Sequence, residues 1–479
     1  MNNFQLPTPN SPNGVHHARW GLGSPLGIGS WVLGVVVALT AAAAFAGAPR
    51  QAPQQPAPAP QQPSEIAVVI SGDPGTPPRY AVPEFIALTP DAAEMAKTIA
   101  QVLWDDLSFE REFYLIPRDT YSTVSPARTA EQINFNSWRE LGADAVFFGT
   151  VQKTGNNVRV EVRLFNVRTR QPVFSKEYTG TDTNARLYAH TVADEIHLQQ
   201  RNLRGVARTK LTFASDRNRE RVAGPVENRE VKEIYISDYD GANSRRVTTS
   251  RQLNINPSWS PDARAVAYTS YVPVPDIFIS YLYRGVRENP TKKVGSNFLP
   301  VFSPDGARMA FMSNRDGNPE IYVMNVDGSA VRRLTNHPAG DSSPTWSPTG
   351  SQIAFTSDRS GTPQIYIVGA DGLNLRRLTN ESYADRPTWS PAPFNEIAFS
   401  ARTGPGFDIK IYDLASGMTR QITFGEGTNE SPAYAPNGKH LAFASTRAGR
   451  WQVFTIGRDG RIVKQITRDG NNSTPAWSN

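Results

Sequence analysis

Residues 343–379 read SPTWSPTGSQIAFTSDRSGTPQIYIVGADGLNLRRLT, a stretch holding four short strand signals separated by turns. Ser343–Trp346 runs into Ser347-Pro348 and a Thr349-Gly350 turn, and Gln352–Ser357 follows as an apolar run. Gln364–Ile367 leads to Asp371-Gly372, and Leu375–Thr379 completes the unit. Runs of β-branched and aromatic residues bounded by Gly, Pro, Asp and Ser read as strands. Asp-Gly predicts a tight hairpin, because both central positions take positive φ at low cost.

The unit recurs on both sides. Its anchor is an aromatic followed by Ser-Pro: Trp259-Ser260-Pro261, Phe302-Ser303-Pro304, Trp346-Ser347-Pro348 and Trp389-Ser390-Pro391. Tyr434-Ala435-Pro436 and Trp477-Ser478 are degenerate copies. The anchors step by 43, 44, 43, 45 and 43 residues, and a period in the forties with strand content is the mark of propeller blades. The repeat region opens on a second strand (Lys210–Ala214), then a third (Glu233–Ser237) and a fourth (Arg245–Thr249), with no first strand of its own. The last residues, Thr474–Ser478, are a first strand with nothing after it. Joined, they make one blade, so the ring has six, and closure removes the edges an open array would expose. The basic pairs Arg245-Arg246, Lys292-Lys293, Arg332-Arg333 and Arg376-Arg377 are expected on outer fourth strands, where charge blunts edge-to-edge pairing.

The N-terminal half divides by composition. Residues 31–48, WVLGVVVALTAAAAFAGA, end in small residues before Pro49 and read as a signal peptide, with a retained membrane anchor as the rival reading. The first 48 residues are taken as that leader, and 49–63, PRQAPQQPAPAPQQP, as an extended Pro/Gln linker. Residues 64–203 predict a small α/β (α+β) domain. It has a β-rich run at Ile66–Ile70, helices over Asp91–Leu107, Asn134–Leu141 and Thr183–Gln199, a strand at Ala145–Thr150, and a hairpin of Val158–Phe165 with Val173–Tyr178. The fold class is therefore mixed: this domain, then an all-β six-bladed propeller over 204–479, closed by strands from both ends.

Composition excludes several chemistries. With no cysteine in 479 residues there is no disulfide, thiolate metal site, cysteine nucleophile or acylated lipobox. A net charge of +6 spread along the chain reads as solubility rather than nucleic-acid binding. No G-x-S-x-G elbow, P-loop or dinucleotide fingerprint occurs. His190 and His197 lie two helical turns apart, too far to share a metal, and His337 and His440 are isolated. No catalytic residue, metal site or cofactor is expected.

What remains is a binding surface. Connections from a fourth strand to the next first strand cross one face toward the central channel, and they carry Asn256, Ser296, Asn297, Asp341, Asp385, Glu430 and Asn472. Such a ring of amides and carboxylates offers acceptors to a basic or hydrogen-bonding protein partner.

The repeats Pro-x-Trp-Ser-Pro-x-Gly, Ile-Ala-Phe-Thr-Ser, Gln-Ile-Tyr and Arg-Arg-Leu-Thr resemble blades of the TolB family, periplasmic components of the Tol-Pal cell-envelope system. More specific are Leu141-Gly142-Ala143-Asp144-Ala145 before Phe148-Gly149-Thr150, and Ala189-His190 with Ala193-Asp194 and Ile196 leading to Thr209-Lys210-Leu211. The resemblance implies a non-enzymatic periplasmic adaptor, peripheral to membranes. It would bind the peptidoglycan-associated lipoprotein Pal through the propeller face, and TolA, an inner-membrane protein, through its N-terminal portion. It would support envelope integrity and outer-membrane constriction in cell division. Where the family often has a histidine before a Pro-x-Phe-Ser-Pro blade, this chain has Ser296. The alternative reading is a periplasmic propeller enzyme or carbohydrate-binding protein built from the same blades.

Overall fold

Each sequence period becomes one four-stranded antiparallel sheet, its strands hydrogen-bonded in chain order from the channel outward. The computed structural model describes residues 76–222, 229–272, 274–292 and 294–479. The expected leader, linker and Ile66–Ile70 run lie outside those residues. One sheet breaks chain order: Asn472–Trp477 pairs with Lys210–Ser215, followed by Glu233–Asp238 and Arg245–Arg246. The two ends of the repeat region thus share the sixth blade, as the complementary half-repeats predict.

Second strands are apolar on both sides because each blade packs between two neighbours, which removes the usual alternation. One aromatic from each second strand is fully buried: Phe213, Tyr268, Phe311, Phe355, Phe399 and Phe443. Each such side chain contributes about 2–3 kcal/mol by leaving water.

The Asp-Gly turns form, with a different geometry from the one expected. The Gly372 N–H donates to the Gly369 carbonyl (2.8 Å), so Ala370 and Asp371 are the central pair, and Gly372 alone takes positive φ, at 94°. Asp371 accepts from the Leu373 N–H (2.9 Å). A turn of that kind asks for glycine only at its last position.

The fourth-strand arginines do more than guard an edge. Arg246, Arg333 and Arg377 each fold back to donate to the carbonyl two residues on, at Thr248, Thr335 and Thr379. Of the expected Lys292-Lys293 pair, Lys293 lies outside the described residues and Lys292 is not on a fourth strand. In that blade the strand is Val286–Glu288, and Lys292 lies beyond it in an exposed turn. There the register places Asn289 where the others have the second arginine, and its amide donates to the Ile277 carbonyl (3.2 Å).

The α/β part is a mixed sheet. Strands β1 (Arg79–Ala81), β2 (Ile86–Ala87), β3 (Tyr114–Leu115), β4 (Ala145–Thr154), β5 (Asn157–Asn166) and β6 (Pro172–Thr181) run in the order β3-β1-β4-β5-β6, with β2 also on β4. Helices α1 (Ala93–Glu110), α2 (Phe135–Glu140) and α3 (Ala185–Arg201) match the expected set with shifted ends. Asn134 and Asn184 cap α2 and α3 by accepting from the third N–H, at 3.2 Å each. α1 and α3 bury Ile99, Leu103, Val192 and Ile196 against one sheet face; Trp138 of α2 packs with Val146 and Phe165 on the other. Helices therefore cover both faces.

Residues Ser71–Asn479 form one compact unit. The α/β part meets the propeller at turns joining first to second and third to fourth strands. Phe109 stacks on His440 at 4.3 Å, Asn437 donates to Glu110 (2.9 Å), and Arg111 pairs with Asp459 (3.1 Å). First strands begin on the opposite face, as antiparallel connectivity requires.

A candidate partner-binding face at the channel mouth

Every first strand enters the channel the same way. Its first residue is buried, its second is half-exposed, and its third takes the left-handed conformation before a proline. The third residues are Asn256, Leu299, Ser343, Arg386, Ser431 and Thr474, with φ between 49° and 57°. A register shift follows at each, since proline cannot donate to the ladder and a bulge accommodates it. The bulge turns these third side chains toward a cavity of about 170 Å3 on the axis, where Arg386 is the one charged lining residue.

The first positions hold blades together. Asn254, Asn297, Asn429 and Asn472 each donate from the amide to a buried residue at the first or second position of the preceding third strand: Glu233 (2.9 Å), Asp276 (2.9 Å), Asp408 (3.0 Å) and Gln452 (2.9 Å). The oxygens of three accept from an arginine: Arg315 to Asn297 (3.0 Å), Arg447 to Asn429 (3.0 Å) and Arg217 to Asn472 (3.3 Å). At the equivalent joint stands Asp341. It takes Arg359 at 2.7 Å, but its other oxygen has no partner, and burial pushes its carboxyl above the usual range. Facing it, Glu320 is held low despite its burial by the His337 N–H, Thr335 and Arg333.

Of the seven residues expected at the face, Asn297, Asp341 and Asn472 are thus fully buried within the blades and present no side chain to a partner. The loop start misled the sequence reading, because these positions are already the first rung of a strand. Ser296 sits in its loop, tied through its N–H to Asn314 (2.8 Å). Asn256, Asp385 and Glu430 do converge at the mouth. Asp385 is fixed by Ser343 (3.0 Å), Thr356 (2.8 Å) and the Arg386 N–H (2.6 Å). Burial raises the Glu430 carboxyl, Arg386 draws it back, and Asp385 raises it again. Sequence reasoning missed Arg386 and Ser343; the residue before each inner proline is the signal that locates them.

A second polar cluster lies where the α/β part sits. His190 of α3 places Nδ1 2.7 Å from a carboxylate oxygen of buried Asp106, and Tyr239 of the propeller donates to the same carboxylate at 2.8 Å. Arg186 pairs with Asp240, and Lys210 with Asp238. Burial opposes the charged imidazole, yet Asp106 and Asp238 raise it to about 9. Among the described residues no group of three or more His, Asp or Glu could hold a metal ion.

A closed six-bladed propeller, an α/β part seated on its turn face and a polar channel mouth left open opposite define the class: a two-part propeller scaffold. Family models agree with both parts. Residues 201–479 match the TolB beta propeller domain and residues 66–173 the TolB amino-terminal domain. The chain belongs to the TolB family. It is 34% identical over 261 residues to a Tol-Pal system protein TolB of Desulfosudis oleivorans, covering 53% of this chain and 57% of the relative. A TolB of Anaeromyxobacter dehalogenans is 34% identical over 254 residues, covering 53% and 56%. The chain spans a little over half the length of these curated relatives. The crystal structure of TolB from Acinetobacter baumannii superposes with a TM-score of 0.70 at 27% identity, over 84% of this chain and 97% of that one.

Proposed function

We propose that this chain serves a Tol-Pal-type system as a periplasmic adaptor, binding a peptidoglycan-associated lipoprotein at the channel mouth. The observation that carries the reading is the convergence of Asn256, Asp385, Arg386 and Glu430 on the face away from the α/β part. Interfaces draw most of their energy from a few central groups in desolvated surroundings, and this mouth supplies such groups inside a rim of prolines. Engagement of a TolA-type inner-membrane protein through the N-terminal portion, export by the leader, and support of outer-membrane constriction belong to the same reading.

The test is calorimetric titration of the purified lipoprotein into the mature protein, repeated with Asp385→Ala and Glu430→Ala. Saturable binding, weakened by about tenfold or more in either variant, supports the reading. A folded wild-type protein that takes up no lipoprotein overturns it.

A further inference from the structure

Between the composite blade and the next lies a cavity of about 330 Å3 lined by three arginines, Arg245, Arg246 and Arg287. Hydroxyls of Thr249, Tyr268 and Ser280 line it as well, the last two 3.2 Å apart. Arg246 is already neutralised, holding Glu220 and Glu233 at 2.7 and 2.8 Å. Among the described residues, neither Arg245 nor Arg287 pairs with a carboxylate.

The cavity follows from a departure in the repeat. Arg332, at the position equivalent to Arg245, donates across the groove to the Ala370 carbonyl of the next blade (2.6 Å). Arg420 likewise reaches the Arg458 carbonyl (2.6 Å). Beside Arg245 the next blade instead carries a turn closed on itself, with the Arg284 and Gly285 N–H groups both donating to Tyr281. Arg245 makes no bond to that turn and lines the cavity. Arg287 is preorganised, one N–H on Ser270 (3.1 Å) and its guanidinium 3.7 Å over the Phe278 ring, beside Tyr268.

We propose that this inter-blade cavity binds a phosphate group, held by the Arg245 and Arg287 guanidiniums and by the hydroxyls beside them. Planar guanidiniums give paired, charge-assisted hydrogen bonds to a tetrahedral oxyanion, and hydroxyl donors complete its shell. The phosphate belongs either to a soluble ester or to a phospholipid headgroup, and the site stands apart from the channel mouth.

Inorganic phosphate is titrated into the full mature chain at low salt, and flotation is measured with phosphatidylglycerol and phosphatidylcholine vesicles. Saturable phosphate uptake with no vesicle preference assigns a soluble ester; retention on the anionic vesicles assigns a headgroup. In either case, the Arg245→Ala/Arg287→Ala double variant is expected to lose about tenfold or more in affinity, while Arg376→Ala, which lines no such cavity, retains it. Thermal melts confirm that both variants fold. A double variant that binds like wild type, or a wild-type protein that takes up neither phosphate nor anionic vesicles, overturns the site.

Discussion

The Arg386 guanidinium donates to the Asn256 side-chain oxygen at 3.1 Å, joining two first strands 130 residues apart on opposite sides of the channel. With one bond the mouth is spanned, and the same guanidinium partly neutralises Glu430.

Arg386→Ala should therefore move two quantities. Without its cation the Glu430 carboxyl should titrate higher still, readable by carbon NMR of the labelled side chain. Unfolding free energy should fall by only about 1 kcal/mol, because the bond is charge-assisted but half-exposed. An unmoved Glu430 titration would show that the guanidinium does not sense it.

Asp341 separates a structural role from a binding one. Asp341→Ala strands the partly buried Arg359 and should cost about 3 kcal/mol in urea melts. Asp341→Asn restores the amide that four equivalent joints use, so it should raise the midpoint. The gain should be larger at high pH, where the aspartate must ionise in place. A loss of stability on Asp341→Asn would contradict the assignment of that joint.

His190 makes the stability of the seated α/β part depend on pH. Its ordinary value is 6.5 and its folded value about 9. A raised imidazole stabilises fully below the lower value and loses that contribution as pH climbs through the upper one. The stability difference between wild type and His190→Gln should thus be large at about pH 6 and small at about pH 10. Equal differences at both would show that the Asp106 pair retains no extra proton.

Glu110 shifts stability in the same direction, through a different window. Its burial raises the carboxyl from 4.5 to about 8, opposed by the Val206 N–H. The folded state holds the proton across that window and the unfolded state does not, so stability falls as pH rises through it. Glu110→Gln should flatten the decline in melts taken across the same range.

Ring closure rests on the last strand. Trp477 donates to the Thr209 hydroxyl at 2.7 Å and is buried. Trp477→Ala should cost about 3–5 kcal/mol. Deleting 472–479 should leave Lys210–Ser215 as an open edge and yield self-associating protein in sedimentation.

The sequence by itself determined the blade count, the composite sixth blade and the order of helices and strands. Those follow from local periodicity and turn chemistry, which a repeating chain writes several times over. It placed Asp385 and Glu430 near the channel for the same reason. What only the tertiary structure decided is which polar residue faces inward to the protein and which outward. Asn297, Asp341 and Asn472 look like loop acceptors in one dimension, yet each takes an arginine (Arg315, Arg359 and Arg217), and Asn297 and Asn472 also bond the third-strand residues Asp276 and Gln452. Arg386 and Asn256 carry no mutual signal in the chain, since closing six blades into a ring is what brings them within reach. Lys292 misses its expected edge because Thr291, bonded to Asp276, takes the place that Thr248 holds against Glu233, which leaves Lys292 past the end of the strand.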